Sequence, residues 1–212
     1  LLGLYAVFMA NMRRDNDAAE DLFRRAVAAN PSHPTNLLQY AFFLHTVRED
    51  VATAEELYDA ALDSAPDDSE VLASVAAFVE GSLHSFERSE VLWRRAVDAG
   101  PHIVENIVGL GTCLAARGDS GGAEECFTQA LLLDENSDVA IDGFVTFLEE
   151  ALSGVLYSRA VERFPNCKAL LDAYADYLEN IVEDSEAAGR IKKRLLGRAK
   201  EGSGEGGSVL HL

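Results

Sequence analysis

Apolar positions in this chain fall into blocks with helical internal spacing, and the blocks recur in a fixed order. The first kind is Tyr5-Ala6-Val7-Phe8-Met9, followed by Tyr40-Ala41-Phe42-Phe43-Leu44, Val75-Ala76-Ala77-Phe78-Val79 and Leu110-Gly111-Thr112-Cys113-Leu114. Phe144-Val145-Thr146-Phe147-Leu148 and Tyr174-Ala175-Asp176-Tyr177-Leu178 continue it. Successive blocks start 35 residues apart three times, then 34 and 30 apart. A second kind runs in step: Ala19-Glu20-Asp21-Leu22-Phe23-Arg24-Arg25-Ala26, with copies at 54–61, 89–96 and 123–130 and a fainter one ending at Ala160. Leu22, Phe23, Ala26 and Val27 stand at i, i+1, i+4 and i+5, one stripe of an amphipathic helix.

Each element of the repeat has a packing role. Alanine at 19, 26, 54, 61, 96, 123 and 130 lets two helix axes approach, and the ring at 23, 58, 93, 127 or 157 fills the space beside that contact. Pro31, Pro66, Pro101 and Pro165 each follow the last alanine of their copy by five residues, where proline ends one helix or begins the next. One helix pair cannot bury its own stripe, but stacked neighbours can, and a period of this size marks stacked helical repeats. The pattern therefore predicts an all-α chain of about six helix-turn-helix units. Their approximate bounds are 1–32, 33–67, 68–102, 103–136, 137–166 and 167–200.

The unit Leu110-Gly111, Leu114, Gly118-Asp119, Ala123, Phe127, Ala130 is similar in spacing to a tetratricopeptide repeat (TPR) of about 34 residues. The other units resemble TPR units with one extra residue, expected in the turn between their helices. The shortened final intervals resemble the half-a-TPR variant. The resemblance covers roughly residues 1–200 and implies a right-handed α-α superhelix, a TPR-like solenoid. The sixth unit is divergent: it keeps Tyr174-Ala175 and Ala188 but carries Gly189 within its second helix. Its basic run of Arg190, Lys192, Lys193, Arg194, Arg198 and Lys200 suits a helix C-terminus and a polar end cap. Residues 201–212 read as a flexible Gly/Ser-rich tail.

Charge narrows the partners. The net charge of −18, from 36 acidic and 18 basic residues, argues against direct nucleic-acid binding and against an anionic membrane surface. It favours basic protein partners. The apolar opening, Leu1 to Ala10, is too short to span a bilayer and has no basic segment before it. It starts inside a repeat and reads as the first ordered part of a longer chain. Leu1, Leu2, Leu4, Val7 and Phe8 would then be exposed at that end, which suggests a partner or an end-to-end contact at the N-terminal repeat. Cys113, Cys126 and Cys167 are odd in number and fit no zinc spacing. Buried, reduced thiols place the chain inside the cell, in the cytoplasm or a reducing organelle.

Candidate chemistry is sparse. Gly118-Asp119-Ser120-Gly121-Gly122 reads like the nucleophile segment of a trypsin-like protease, but it falls where a turn between two helices belongs. Gly118 there closes one helix, and Asp119 or Ser120 caps the next. The five histidines form no metal pattern, and His45 alone sits on a first helix. No catalytic, cofactor or metal site is expected, and the reading is that of a non-enzyme.

The TPR resemblance implies a concave groove lined by the first helix of each unit. Its positions here are Leu38, Phe42 and His45; then Glu70, Ala73, Ala77 and Glu80; then Glu105, Val108 and Thr112. Asp142, Thr146 and Glu149, then Asp172, Asp176 and Glu179, complete it. The groove runs from apolar to acidic and suits partners with apolar and basic segments. The clamp by which some TPR co-chaperones hold the acidic tail of heat-shock chaperones is not expected: Leu38, Phe42, Ser74, Glu105 and Gly109 stand at its basic and polar positions. The expected function is a protein–protein interaction scaffold, a subunit or adaptor of a larger assembly. Alternatives are a dedicated receptor for a basic peptide or helix, the non-catalytic part of a larger enzyme, or an RNA-processing factor.

Overall fold

The computed structural model describes residues 1–201, apart from the side chains of residue 194 and residues 196–201. Among them are twelve helices and no strand: α1 (Leu2–Phe8), α2 (Asn16–Ala29), α3 (Pro34–Phe43), α4 (Val51–Ser64), α5 (Ser69–Gly81) and α6 (Phe86–Ala99) come first. They continue as α7 (Val104–Ala116), α8 (Ser120–Leu133), α9 (Asp138–Ala151), α10 (Gly154–Arg163), α11 (Lys168–Asn180) and α12 (Ser185–Glu201). Residue 201 thus ends α12, and residues 202–212 of the tail read from the sequence lie outside the described residues. The helices form two compact units, Leu1–Arg117 and a second beginning at Gly118.

A single turn design recurs between the two helices of every repeat. The residue before the second helix's cap is left-handed each time: Arg14, Glu49, His84, Gly118, Leu152 and Glu183. Only one of the six is glycine, so five positions carry the Cβ penalty of that conformation. The next residue is an aspartate in four of the repeats. Asp15, Asp50, Asp119 and Asp184 accept the backbone N–H three residues on, at 2.9–3.1 Å.

Three of the odd spacings now have physical causes. In the first two repeats the extra residue is wound into a π-helical turn, Met9–Arg13 after α1 and Leu44–Arg48 after α3, so it extends the helix instead of lengthening the loop. The 30-residue interval reflects α10, which has 10 residues where α8 has 14. One helical turn, the one that elsewhere carries the first alanine, is missing.

Small residues set how closely helices approach. Ala6, Ala19, Ala41, Ala54, Ala61, Ala76, Ala96, Ala123, Ala130 and Ala175 are all fully buried. Rings fill the spaces between. In the first unit Phe23 stacks on Tyr40 at 5.7 Å and meets Phe43 at 5.2 Å, while Tyr58 stacks on Phe78 at 4.5 Å. In the second, Phe127 packs on Phe144 and Phe147, and Tyr157 on Tyr174 and Tyr177. Trp93, the largest ring at this place, faces Gly109: a Cβ there would lie 2.5 Å from the indole. Outside the core, the glutamate after the first alanine, or after Ser89 in its place, bonds an arginine of the following repeat: Glu20 with Arg48, Glu55 with Arg88, Glu90 with Arg117 and Glu124 with Arg159.

The glycines separate packing from propensity. Gly109→Ala forces Cβ into Trp93 and should lower stability by about 1–2 kcal/mol even after the gain in helix propensity. Gly81 has nothing near its absent Cβ. Gly81→Ala should leave stability unchanged or raise it by up to ~1 kcal/mol. Urea denaturation followed by circular dichroism reads both.

Burial also dictates a pH response. It pushes the Cys113 thiol up to about 11 and the Tyr58 and Tyr157 hydroxyls up to about 12. Each group is held neutral in the fold above the pH at which it ionises in the unfolded chain. The stability this represents is present below about pH 9 to 10 and is lost as pH rises through the folded values. Melting temperature should fall steadily from about pH 9 upward. Tyr58→Phe should flatten the part of that fall above pH 10; a series of thermal melts between pH 8 and 11 checks it.

Candidate functional site

In the first unit, the helices that open the repeats present a row of side chains two residues into each block: Val7, Phe42, Ala77 and Thr112. Beside this row α1, α3 and α5 enclose a cleft of about 510 Å³. Its walls are apolar, built from Val7, Leu38, Phe42, Val47, Ala77 and the edges of Tyr58 and Phe78. Asn11, Thr35, Gln39 and Ser74 add neutral polar groups, and Glu70 is the one carboxylate in the lining.

The sequence of α3 explains the cleft. Leu37, Leu38, Tyr40, Ala41 and Phe43 are all buried, so the helix is apolar nearly all round. Phe42 is left on the outer side at 59% exposure. The His45 ring stands edge-on to both Phe42, at 6.1 Å, and Phe78, at 5.4 Å. Its Nδ1 is buried, and among the described residues it is the one buried side-chain nitrogen or oxygen without a hydrogen-bond partner. A buried polar atom left without a hydrogen bond costs about 1–3 kcal/mol. The imidazole serves here as an apolar wall between two rings, despite that cost.

Five groove positions read from the sequence, Leu38, Phe42, His45, Glu70 and Ala77, meet in this one cleft. Their roles differ, since Leu38 is core and only its edge reaches the cleft, whereas Phe42 projects. Glu105 and Thr112 lie exposed on α7 outside the cleft lining, with the Thr112 hydroxyl donating back to the Val108 carbonyl at 3.1 Å. Glu80 is engaged within the fold: its carboxylate accepts from Trp93 Nε1 at 3.1 Å and contacts Ser89 Oγ at 3.0 Å.

The second unit departs from a purely acidic groove. Asp142 and Asp172 line a cleft of about 630 Å³ together with Arg163 and Lys168. Thr146 and Glu149 are exposed on α9. Asp176 and Glu179 are exposed on α11, but Lys192 of α12 bonds Glu179 and lies 4.0 Å from Asp176. Asp176 and Glu179 therefore have a counter-ion of their own. Lys192 stands eight residues after the cap Asp184, the place held by Phe23, Tyr58, Trp93 and Phe127 after theirs. Counting eight residues from the cap, or four from Ala188, reveals this in the sequence.

The remaining sequence candidates resolve as local structure. Gly118 has φ 85°, and Asp119 accepts from Gly122 N–H at 3.0 Å, so the protease-like string is a turn and a helix cap. At the N-terminal repeat Leu1, Leu4 and Phe8 are exposed as expected, joined by Tyr5 and Met12. Leu2 and Val7 are half-buried instead, and Val7 belongs to the cleft. Cys113 is fully buried, with its thiol 3.7 Å from the Phe86 carbonyl. Among the described residues no helix is long and apolar enough to cross a membrane.

No family model matches the sequence, and no curated protein aligns with it. Solved structures do share its fold. One is Pseudomonas aeruginosa PilF, with TM-score 0.68 and 19% identity, covering 95% of this chain and 91% of that one. A tetratricopeptide repeat protein from Parabacteroides merdae has TM-score 0.63 and 16% identity, over 92% of this chain and 78% of that one. YrrB, described as a TPR protein with an unusual peptide-binding site, has TM-score 0.57 and 19% identity, over 91% and 90%. At such identities the likeness is one of architecture, and it agrees with the helix pairs, caps and ring stacking described above: the chain has the tetratricopeptide-repeat fold.

Proposed function

We propose that this chain is a non-catalytic protein-binding module, a scaffold or adaptor subunit, that grips a partner polypeptide in the cleft of α1, α3 and α5. Phe42 carries this reading. A phenylalanine 59% exposed beside an apolar cleft, on a helix whose other large apolar side chains are buried, leaves most of its ring uncovered beyond its edge contact with His45. Aromatic side chains placed at the mouth of such a cleft are the usual anchors of protein recognition. The fold supports the reading as well, because stacked helix pairs build extended surfaces suited to polypeptide ligands. YrrB, of the same fold, is described as having a peptide-binding site. The fully buried Cys113, with its thiol pushed up to about 11, fits a reduced chain in a reducing compartment.

Affinity purification of the tagged protein from its native source tests the cleft. Phe42→Asp is compared with Val91→Asp, which changes an equally exposed apolar residue on α6, outside the cleft. Circular dichroism confirms that both variants fold. Partners present with the wild type and with Val91→Asp should be depleted about tenfold or more with Phe42→Asp, as expected for a buried aromatic anchor. Identical partner sets for the two variants would remove the cleft from the function.

A further inference from the structure

The cleft is not symmetric along its length. One end is closed by Phe42, His45, Val47 and Phe78, without a charge. Glu70 stands at the other end, in the first turn of α5. Eight residues separate Glu70 from Phe78 on that helix, which places them about 12 Å apart along its axis. The neighbouring acids are already engaged: Asp68 caps α5 through the Glu70 and Val71 N–H groups, and Asp67 lies 3.7 Å from Arg95. Glu70 has no ion-pair partner among the described residues, and no lysine or arginine lines the cleft. Glu105 holds the same place one period later, on α7. Arg48 sits over Phe43 at 5.7 Å and is bound to Asp17 and Glu20.

Resting on the protein-binding reading above, we infer that the cleft's occupant is a polypeptide segment carrying an apolar anchor and a lysine or arginine about 12 Å from it. The anchor packs on Phe42 and Phe78, and the cation meets Glu70, with Glu105 beside it along the chain's path. In a helical ligand the two are seven or eight residues apart; in an extended one they are about four apart. Charge complementarity selects this occupant. An acidic segment would meet Glu70 and a chain of net charge −18, and a wholly apolar one would leave the open end of the cleft unread. The anchor gives affinity, while the exposed carboxylates give direction and discrimination.

Selection of a random 15-residue phage-displayed library on the full chain, in parallel with the Glu70→Lys/Glu105→Lys double variant, tests the inference. Peptides recovered on the wild type should share an apolar anchor and a lysine or arginine at one of the two spacings from it. The double variant should shift that position to aspartate or glutamate. Synthesised as labelled peptides and titrated by anisotropy, the wild-type binders should weaken about fivefold or more on the double variant, and less as salt rises. An apolar consensus with no charge preference, unaltered by the double variant yet still weakened by Phe42→Ala, would overturn the inference and leave the cleft in place. Peptides whose binding ignores both Phe42 and Glu70 would overturn the cleft reading itself.

Discussion

Everything in this chain depends on how closely two helices can lie. Alanines with no exposed surface line the contacts between successive helices, so the axes approach until backbone and ring meet. The ring on the second helix of each of the first five repeats then fills the remaining gap, and its partner on the next helix adjusts to its size. Phenylalanine and tyrosine stack on rings, whereas the larger Trp93 is matched by Gly109. Such cores are close-packed, so volume at one position is answered at its neighbour.

The turns follow from that packing. For the second helix of a repeat to fold back on the first, the chain must reverse within a few residues, and a left-handed residue before the cap achieves this. That the conformation falls on arginine, glutamate, histidine, leucine and glutamate as well as glycine shows tertiary packing overriding local preference. Aspartate at the cap recovers part of the cost by satisfying an orphan N–H. The π-helical turns of the first two repeats serve the same end, since they absorb an extra residue without altering where the second helix begins.

The candidate function arises where this regular design leaves surface uncovered. Along α3 every apolar residue but Phe42 is used in packing, and the cleft beside it is the exposed counterpart of the ring stack beneath. In the last repeat the ring position holds Lys192, which turns toward Asp176 and Glu179 and gives that end polar chemistry instead of another stacking face. A module with an apolar cleft in one unit and, in the other, the carboxylates Asp176 and Glu179 paired with a lysine differs from the smooth apolar-to-acidic gradient that the row of residues suggests.

The sequence alone determined the all-helical fold, the number of helix pairs and the identity of nearly every packing residue, because a repeated contact leaves a repeated pattern. Through the resemblance to TPR repeats it also brought Leu38, Phe42, His45, Glu70 and Ala77 into one set, as groove positions on consecutive first helices. Only the tertiary structure decided which of them are surface: Leu38 is core, Phe42 projects, and His45 is wedged between rings. It alone showed that Glu80 is bound to Trp93 and that Asp176 and Glu179 face Lys192. Periodicity fixes which face of a helix a residue occupies. Whether a carboxylate on that face is available to a partner depends on side chains from other helices, far away in sequence, and no local pattern records them.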